Sequence, residues 1–178
     1  LSVTDPMGET IGYEWGSMGE KTALIYPDGR RAEYNYDTAM KLAELTTGKG
    51  SIRYGYDELG RLKEKKLSDG VVTTYDYNSL GRIEEIRHEG EIVRELYRYE
   101  YDNAGNKIGA RKERSGMEAD QGSYVYGYDA ANRLTEVEKD GAVIRAYRYD
   151  SISNRSQKLD KTGEETNETT TRYRNNHK

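Results

Sequence analysis

The chain has 178 residues, 28 Lys and Arg against 32 Asp and Glu, a net charge of −4, no Cys and no Phe. Without Cys, disulfides and thiolate metal sites are excluded. The near-balanced charge argues against a nucleic-acid partner, which calls for a concentrated basic patch. No apolar run is long enough to cross a membrane as a helix. Leu, Ile and Val are sparse, but there are 17 Tyr, so a core has to be built substantially from tyrosine rings.

From the N-terminus, a short grammar recurs. A Tyr-x-Tyr anchor is followed by an acidic or amide residue and then by a turn ending in Gly-Arg or a near equivalent. The first anchor ends on Trp15. The later ones are Tyr34/Tyr36, Tyr54/Tyr56, Tyr75/Tyr77, Tyr99/Tyr101, Tyr126/Tyr128 and Tyr147/Tyr149, with a degenerate eighth around Tyr173. Four places after the anchor stands Gly19, Gly60, Gly81 or Gly105, and in weaker copies Met40, Asn132 or Ser153. An aliphatic follows the turn: Leu42, Leu62, Ile83, Leu134. A second turn closes each unit, at Asp28-Gly29, Gly48-Lys49-Gly50, Asp69-Gly70, Glu89-Gly90 and Asp140-Gly141.

Tyr-x-Tyr puts two rings on one face of a strand. Asp57, Asp102 and their equivalents start a turn by accepting from the backbone two residues on, and Gly supplies a positive φ without steric cost. Each repeat therefore reads as two strands and two turns. Seven repeats give about fourteen strands in an antiparallel meander, an all-β ribbon of hairpins at roughly 4.8 Å per strand. After the Gly-Arg turn, apolar residues fall three apart: Leu42 and Leu45, Ile83 and Ile86, Leu134 and Val137. These segments are too short for stable helices. Two readings stand: a strand with a bulge, or a sheet that is apolar in part on both faces.

The pattern Tyr-x-Tyr-Asp-x-x-Gly-Arg-Leu, closing on Asp-Gly, resembles the YD repeat, also called the RHS repeat. Tyr54–Gly70, Tyr75–Gly90 and Tyr126–Gly141 are its clearest copies, and the resemblance runs from Asp5 to Arg155. It implies a β-hairpin ribbon that curves into a hollow shell, as in bacterial polymorphic toxins, insecticidal toxin complexes and teneurins. It also implies a non-enzymatic role: part of the wall around a toxin or other C-terminal cargo, in a secreted or cell-surface protein. The paired-aspartate self-cleavage region of that family has no counterpart in this sequence. The expected organisation is a ribbon over 1–155 and a degenerate last repeat or polar tail over 156–178. Beginning at Leu1 and lacking a signal peptide, the chain reads as a segment of a longer parent. The expected partners are the rest of that parent, its cargo and, through sheet edges, further copies.

Motifs with chemistry are few. The two histidines, His88 and His177, read as a solvated loop residue and a tail residue, and no nucleophile or phosphate-loop motif appears. The recurring Asp37, Asp57, Asp102, Asp129 and Asp150 lack calcium-loop spacing and are explained by turn chemistry. No cofactor, metal or catalytic residue is expected. Tyr97-Arg98-Tyr99 and Tyr147-Arg148-Tyr149 interleave rings and bases, as a single-strand nucleic-acid platform would. In an acidic chain they read instead as aromatic ladders with Arg stacked on Tyr. The rival function is adhesion or glycan binding by exposed tyrosines at a cell surface. Finally, Glu113–Gly122 breaks the repeat spacing and reads as a polar loop on an extended hairpin, either a tolerated surface insertion or a segment that is mobile in isolation and contacts another part of the parent or a partner.

Overall fold

The computed structural model describes residues 1–162 and 165–170. It contains one antiparallel sheet whose strands follow one another in chain order. These are β1 (Ser2–Thr4), β2 (Thr10–Trp15), β3 (Lys21–Ile25), β4 (Arg31–Tyr36), β5 (Leu42–Thr47), β6 (Gly50–Tyr56), β7 (Leu62–Leu67) and β8 (Val72–Tyr77). Then come β9 (Ile83–Glu89), β10 (Arg94–Tyr101), β11 (Lys107–Arg114), β12 (Gly122–Tyr128), β13 (Leu134–Lys139), β14 (Ala142–Tyr149), β15 (Arg155–Thr162) and β16 (Glu165–Thr170). A single 3-10 turn, Glu118–Asp120, lies between β11 and β12. Among the described residues the meander has sixteen strands rather than the fourteen of seven repeats, because β1 precedes the first anchor strand and β16 follows the last return arm. The eighth anchor around Tyr173 and His177 lie outside the described residues.

Each even-numbered strand from β2 to β14 ends on its anchor aromatic, from Trp15 to Tyr149. The three-residue apolar spacing is a bulge. Tyr34 pairs with Leu45, Asn35 with Glu44 and Tyr36 with Leu42, which leaves Ala43 with no opposite residue. In the same way Tyr126 pairs with Val137 and Tyr128 with Leu134, leaving Thr135 over. The extra residue shifts the alternation by one, so both aliphatics point to the tyrosine side.

The chain falls into two compact units: Leu1–Tyr77 with Ile86–Arg94, and Asn78–Glu85 with the residues from Glu95 on. No second layer of secondary structure covers the sheet among the described residues, so few side chains are fully buried. In the first unit, Ala32 and Thr73 are buried on the tyrosine side, while Ala23 is buried on the back. Ala23 lies between Glu14 and Glu33, and the Arg31 guanidinium bonds both carboxylates. Exposed ion pairs contribute little by themselves. The stems of these three side chains nevertheless roof Ala23. The second unit has a fuller cluster on the tyrosine side, Ala110, Tyr124 and Val137, with Tyr99, Tyr126, Leu134, Ile144 and Tyr147 packed against it.

Candidate functional surface

The tyrosine face is assembled by one contact set that repeats. Each second-place tyrosine donates its hydroxyl to the first carbonyl of the preceding return arm: Tyr36 to Lys21 at 2.9 Å, Tyr56 to Leu42 at 2.8 Å and Tyr77 to Leu62 at 2.8 Å. The series continues with Tyr101 to Ile83 at 2.8 Å, Tyr128 to Lys107 at 2.9 Å and Tyr149 to Leu134 at 2.7 Å. At Lys21, Leu42, Leu62, Lys107 and Leu134 the acceptor is the residue just before the bulge. Each repeat is thus pinned to the one before it. Trp15, in the first repeat, is 52% exposed.

Cations cover the rings. The basic residue closing one turn stacks on the second-place tyrosine of the next repeat: Lys41 on Tyr56, Arg61 on Tyr77, Arg82 on Tyr101 and Arg133 on Tyr149, at 5.1, 4.3, 5.6 and 4.6 Å. First-place rings are covered by Lys21 over Tyr34, Lys107 over both Tyr99 and Tyr126, and Arg155 over Tyr147. Tyr54 pairs with Lys65, and Lys65 with Thr73. The arginines within the Tyr-Arg-Tyr triplets do not stack on their neighbours. Alternation sends Arg98 to the opposite side, where it bonds Glu85 at 2.7 Å. Burial raises the phenol pKa of Tyr56, Tyr75, Tyr99, Tyr126 and Tyr128. Tyr97 is pushed up to about 12 by burial and by its 2.6 Å bond to Glu95.

The anchor turns share one geometry. Asp57 N–H donates to Arg61 O, Gly60 N–H donates to Asp57 O, and Asp57 Oδ1 accepts from the N–H groups of Leu59 and Arg61. Asp37, Asn78, Asp129 and Asp150 repeat this pattern, and Asp102 bonds the Asn106 backbone and side chain. The last turn residue is left-handed throughout: Gly60 at φ 79, Gly81 at 76 and Gly105 at 96. Where glycine is missing, Met40, Asn132 and Ser153 take φ 60, 57 and 68. On the other edge, Gly70 and Gly141 are left-handed, as is Asp140, whose carboxylate accepts from Ser123 N–H. Asp69 Oδ1 accepts from Val71 N–H and Gly90 N–H donates to Val93 O.

Burial alone would raise the Asp57 pKa, but the Arg61 and Leu59 N–H groups and the Arg61 guanidinium bring it below its usual value. Asp102 is lowered first by the Asn106 side chain, and Asp129 first by the Arg133 backbone N–H. Asp150 is lowered by Asn154 against the opposing effect of burial.

One expectation is corrected. His88 is a half-buried β9 residue, not a loop residue, and its Nδ1 lies 2.8 Å from the Oγ1 of buried Thr73. The segment after β11 folds back on the tyrosine face: Asp120 accepts from Lys112 and Arg114, and Gln121 donates to Arg114 O. Reading along the chain missed this seat, because only the bulge-corrected register puts Lys107, Lys112 and Lys139 beside the rings.

The fold and its repeated contacts define a β-hairpin repeat protein whose tyrosines staple successive hairpins. Residues 56–91 match the model of the RHS Repeat family. Double-stranded DNA deaminase toxin A of Burkholderia cenocepacia (strain H111) is 25% identical over 158 residues, 82% of this chain and 11% of the relative. The crystal structure of TcdB2-TccC3 shares the fold with a TM-score of 0.79 at 19% identity, over 90% of this chain and 10% of the other. That of TcdB2-TccC3-Cdc42 gives 0.79 at 18%, with the same coverage. The chain spans about a tenth of the length of these relatives.

Proposed function

We propose that this chain is a non-enzymatic wall segment of an RHS-type shell, secreted or displayed at the cell surface within a longer protein, and that the shell holds a C-terminal toxin or other cargo. The observation that carries the reading is the asymmetry of a stapled sheet. Its back is laced with ion pairs such as Arg31–Glu14 and Arg98–Glu85 and is suited to water. Its tyrosine face carries most of the apolar side chains and has no second layer among the described residues. A sheet of this kind needs something on its aromatic side, and a confined polypeptide would supply it. A relative that carries "toxin" in its name supports the same reading.

The test is limited proteolysis of a full-length protein containing this segment. Containment requires the region beyond the repeats to resist protease while the shell is intact and to become sensitive once the shell is opened by mild denaturant. Immediate cleavage together with binding on a glycan array would replace the shell with the adhesion reading.

A further inference from the structure

The second unit shows what its tyrosine face can hold, because part of the chain already lies on it. Asp120 is seated there by Lys112 Nζ at 3.2 Å and Arg114 Nη1 at 2.8 Å. Its backbone carbonyl accepts from the Tyr124 hydroxyl at 3.2 Å, and the neighbouring Ala119 carbonyl accepts from Lys139 Nζ. Lys112 stacks on the Tyr124 ring at 4.5 Å. The segment is therefore held through one carboxylate, two peptide carbonyls and the Gln121 side-chain amide, which donates to Arg114 O. Arg114 Nε is buried there with no hydrogen-bond acceptor, so the seat has donor capacity left over.

The charge of the face points the same way. Strand pairing sets Lys107 opposite Tyr101, Lys112 opposite Tyr97, Lys139 opposite Tyr124 and Arg155 opposite Tyr149. On β10 to β15 the carboxylates of this side are Glu95 and Asp160. Glu95 bonds Arg114, and Asp160 bonds Arg145 and Lys158. Glu100, Glu113, Glu136 and Glu138 pair into the back instead. Lys107 stands between the Tyr99 and Tyr126 rings, at 5.3 and 4.6 Å, with no carboxylate among the described residues. The chain is acidic overall, yet this face is basic and aromatic.

We propose that the tyrosine face of the second unit binds acidic polypeptide segments, and that the loop Ser115–Gln121 is its built-in occupant. The proposal rests on the shell reading only in taking the ligand to be cargo. A carboxylate would complete the Lys107 site as Asp120 completes that of Lys112 and Arg114, while peptide carbonyls take up the remaining donors. Burial and the nearby Lys112 hold the Lys107 pKa below its ordinary value, a cost that an incoming carboxylate would relieve.

The experiment uses the 178-residue chain and a fluorescein-labelled peptide of alternating Glu and Gly, followed by anisotropy at low and high salt. A Lys-Gly peptide and a labelled single-stranded oligonucleotide serve as competing probes. The Glu-Gly peptide is expected to bind, more weakly as salt rises, and the Lys-Gly peptide not to bind. Lys107→Gln with Lys139→Gln should weaken binding by about tenfold, which is one decade in Kd. Asp120→Asn should strengthen it severalfold by freeing the occupied seat. Circular dichroism and urea melts verify that each variant is folded, and Lys107→Gln alone removes no hydrogen bond. The proposal is overturned if the Glu-Gly peptide fails to bind both the native chain and Asp120→Asn, if the lysine variants bind as the native chain does, or if the oligonucleotide binds more tightly at equal salt. A negative result here with protease-resistant cargo in the full-length protein would sink this inference and leave containment standing. Peptide binding with unprotected cargo would do the reverse.

Discussion

Tyr56 separates what a ring does from what its hydroxyl does. The ring lies on the tyrosine face under Lys41, and the hydroxyl reaches Leu42 O at 2.8 Å. Tyr56→Phe keeps the ring and strands a half-buried carbonyl, a loss of about 1–2 kcal/mol. Tyr56→Ala removes the ring too, and the expected loss rises to about 3 kcal/mol. Tyr54→Phe removes no hydroxyl bond and should stay within about 0.5 kcal/mol of the native chain in urea melts. Equal losses for the two Phe variants would mean that the hydroxyl staple contributes nothing. The turn residues allow a second check. Met40 stands at φ 60, so Met40→Gly should stabilise by about 1 kcal/mol. Gly60→Ala should destabilise by about as much through its φ of 79, while its Cβ displaces only the flexible end of Lys41. A rise in thermal midpoint for the first and a fall for the second are the expected pair.

At the scale of the hairpin, much was readable in advance. Tyr-x-Tyr fixed which strands carry rings, the Asp and Gly of each turn fixed where they reverse, and apolar residues three apart left two readings, a bulge or a sheet apolar on both faces, between which the register decides for the bulge. The sidedness of charge was not readable. Lys107 and Ala110 are three apart and under strict alternation would face opposite ways, but the register shift next to Tyr101 brings both to the tyrosine side. The same holds for the loop after β11. Its polar composition suggests mobility, whereas its actual partners come from β11, β12 and β13 and could be found only once those strands were in register. Replacing Ser115–Gln121 with an Asn-Gly turn should therefore cost about 1 kcal/mol, the scale of a few exposed ion pairs and one hydroxyl bond. Faster amide exchange along β11 and β12 should accompany the loss. Unchanged stability and exchange would make the segment a tolerated insertion.

Repetition turns small local effects into a property of the whole sheet. Asp57, Asp102, Asp129 and Asp150 titrate below their ordinary value in the folded chain. A lowered folded pKa stabilises fully above the unfolded value, about 3.9, and the gain is lost as pH falls through the folded values. The tyrosines work in the opposite direction. Their raised folded pKa stabilises fully below the unfolded value of about 10 and is lost as pH rises beyond it, over a window that reaches about 12 at Tyr97. Urea midpoints should thus be flat from about pH 5 to 9, fall below about pH 4 and fall again above about pH 10. Substituting Asn for Asp57 and Asp129 should flatten the acid limb and leave the alkaline one in place. An acid limb that is unchanged in this variant would assign acid sensitivity to other carboxylates.

The ends of the meander set how the chain behaves at high concentration. Among the described residues β1 and β16 are the terminal strands, and a terminal strand has one row of backbone donors and acceptors with no strand beside it. β1 has no charge along Ser2–Thr4, and Leu1 and Val3 are 85% and 57% exposed. Pro6 does not protect it, because that residue lies in the following turn rather than on the strand. Pairing β1 of one copy with β16 of another is a head-to-tail contact that leaves a free β1 and a free β16 at the ends of the pair, so it does not close into a dimer. Light scattering should therefore show a mean mass that keeps climbing with protein concentration instead of levelling off at twice the monomer. Val3→Lys places a charge on the exposed strand, where an incoming β16 would have to bury it, and should hold the mass near that of the monomer over the same range. A native chain that stays strictly monomeric would show that its terminal strands are protected without any partner. A plateau at the dimer would instead indicate a symmetric contact, β1 on β1 or face on face, which Val3→Lys and a matching charge on β16 would tell apart.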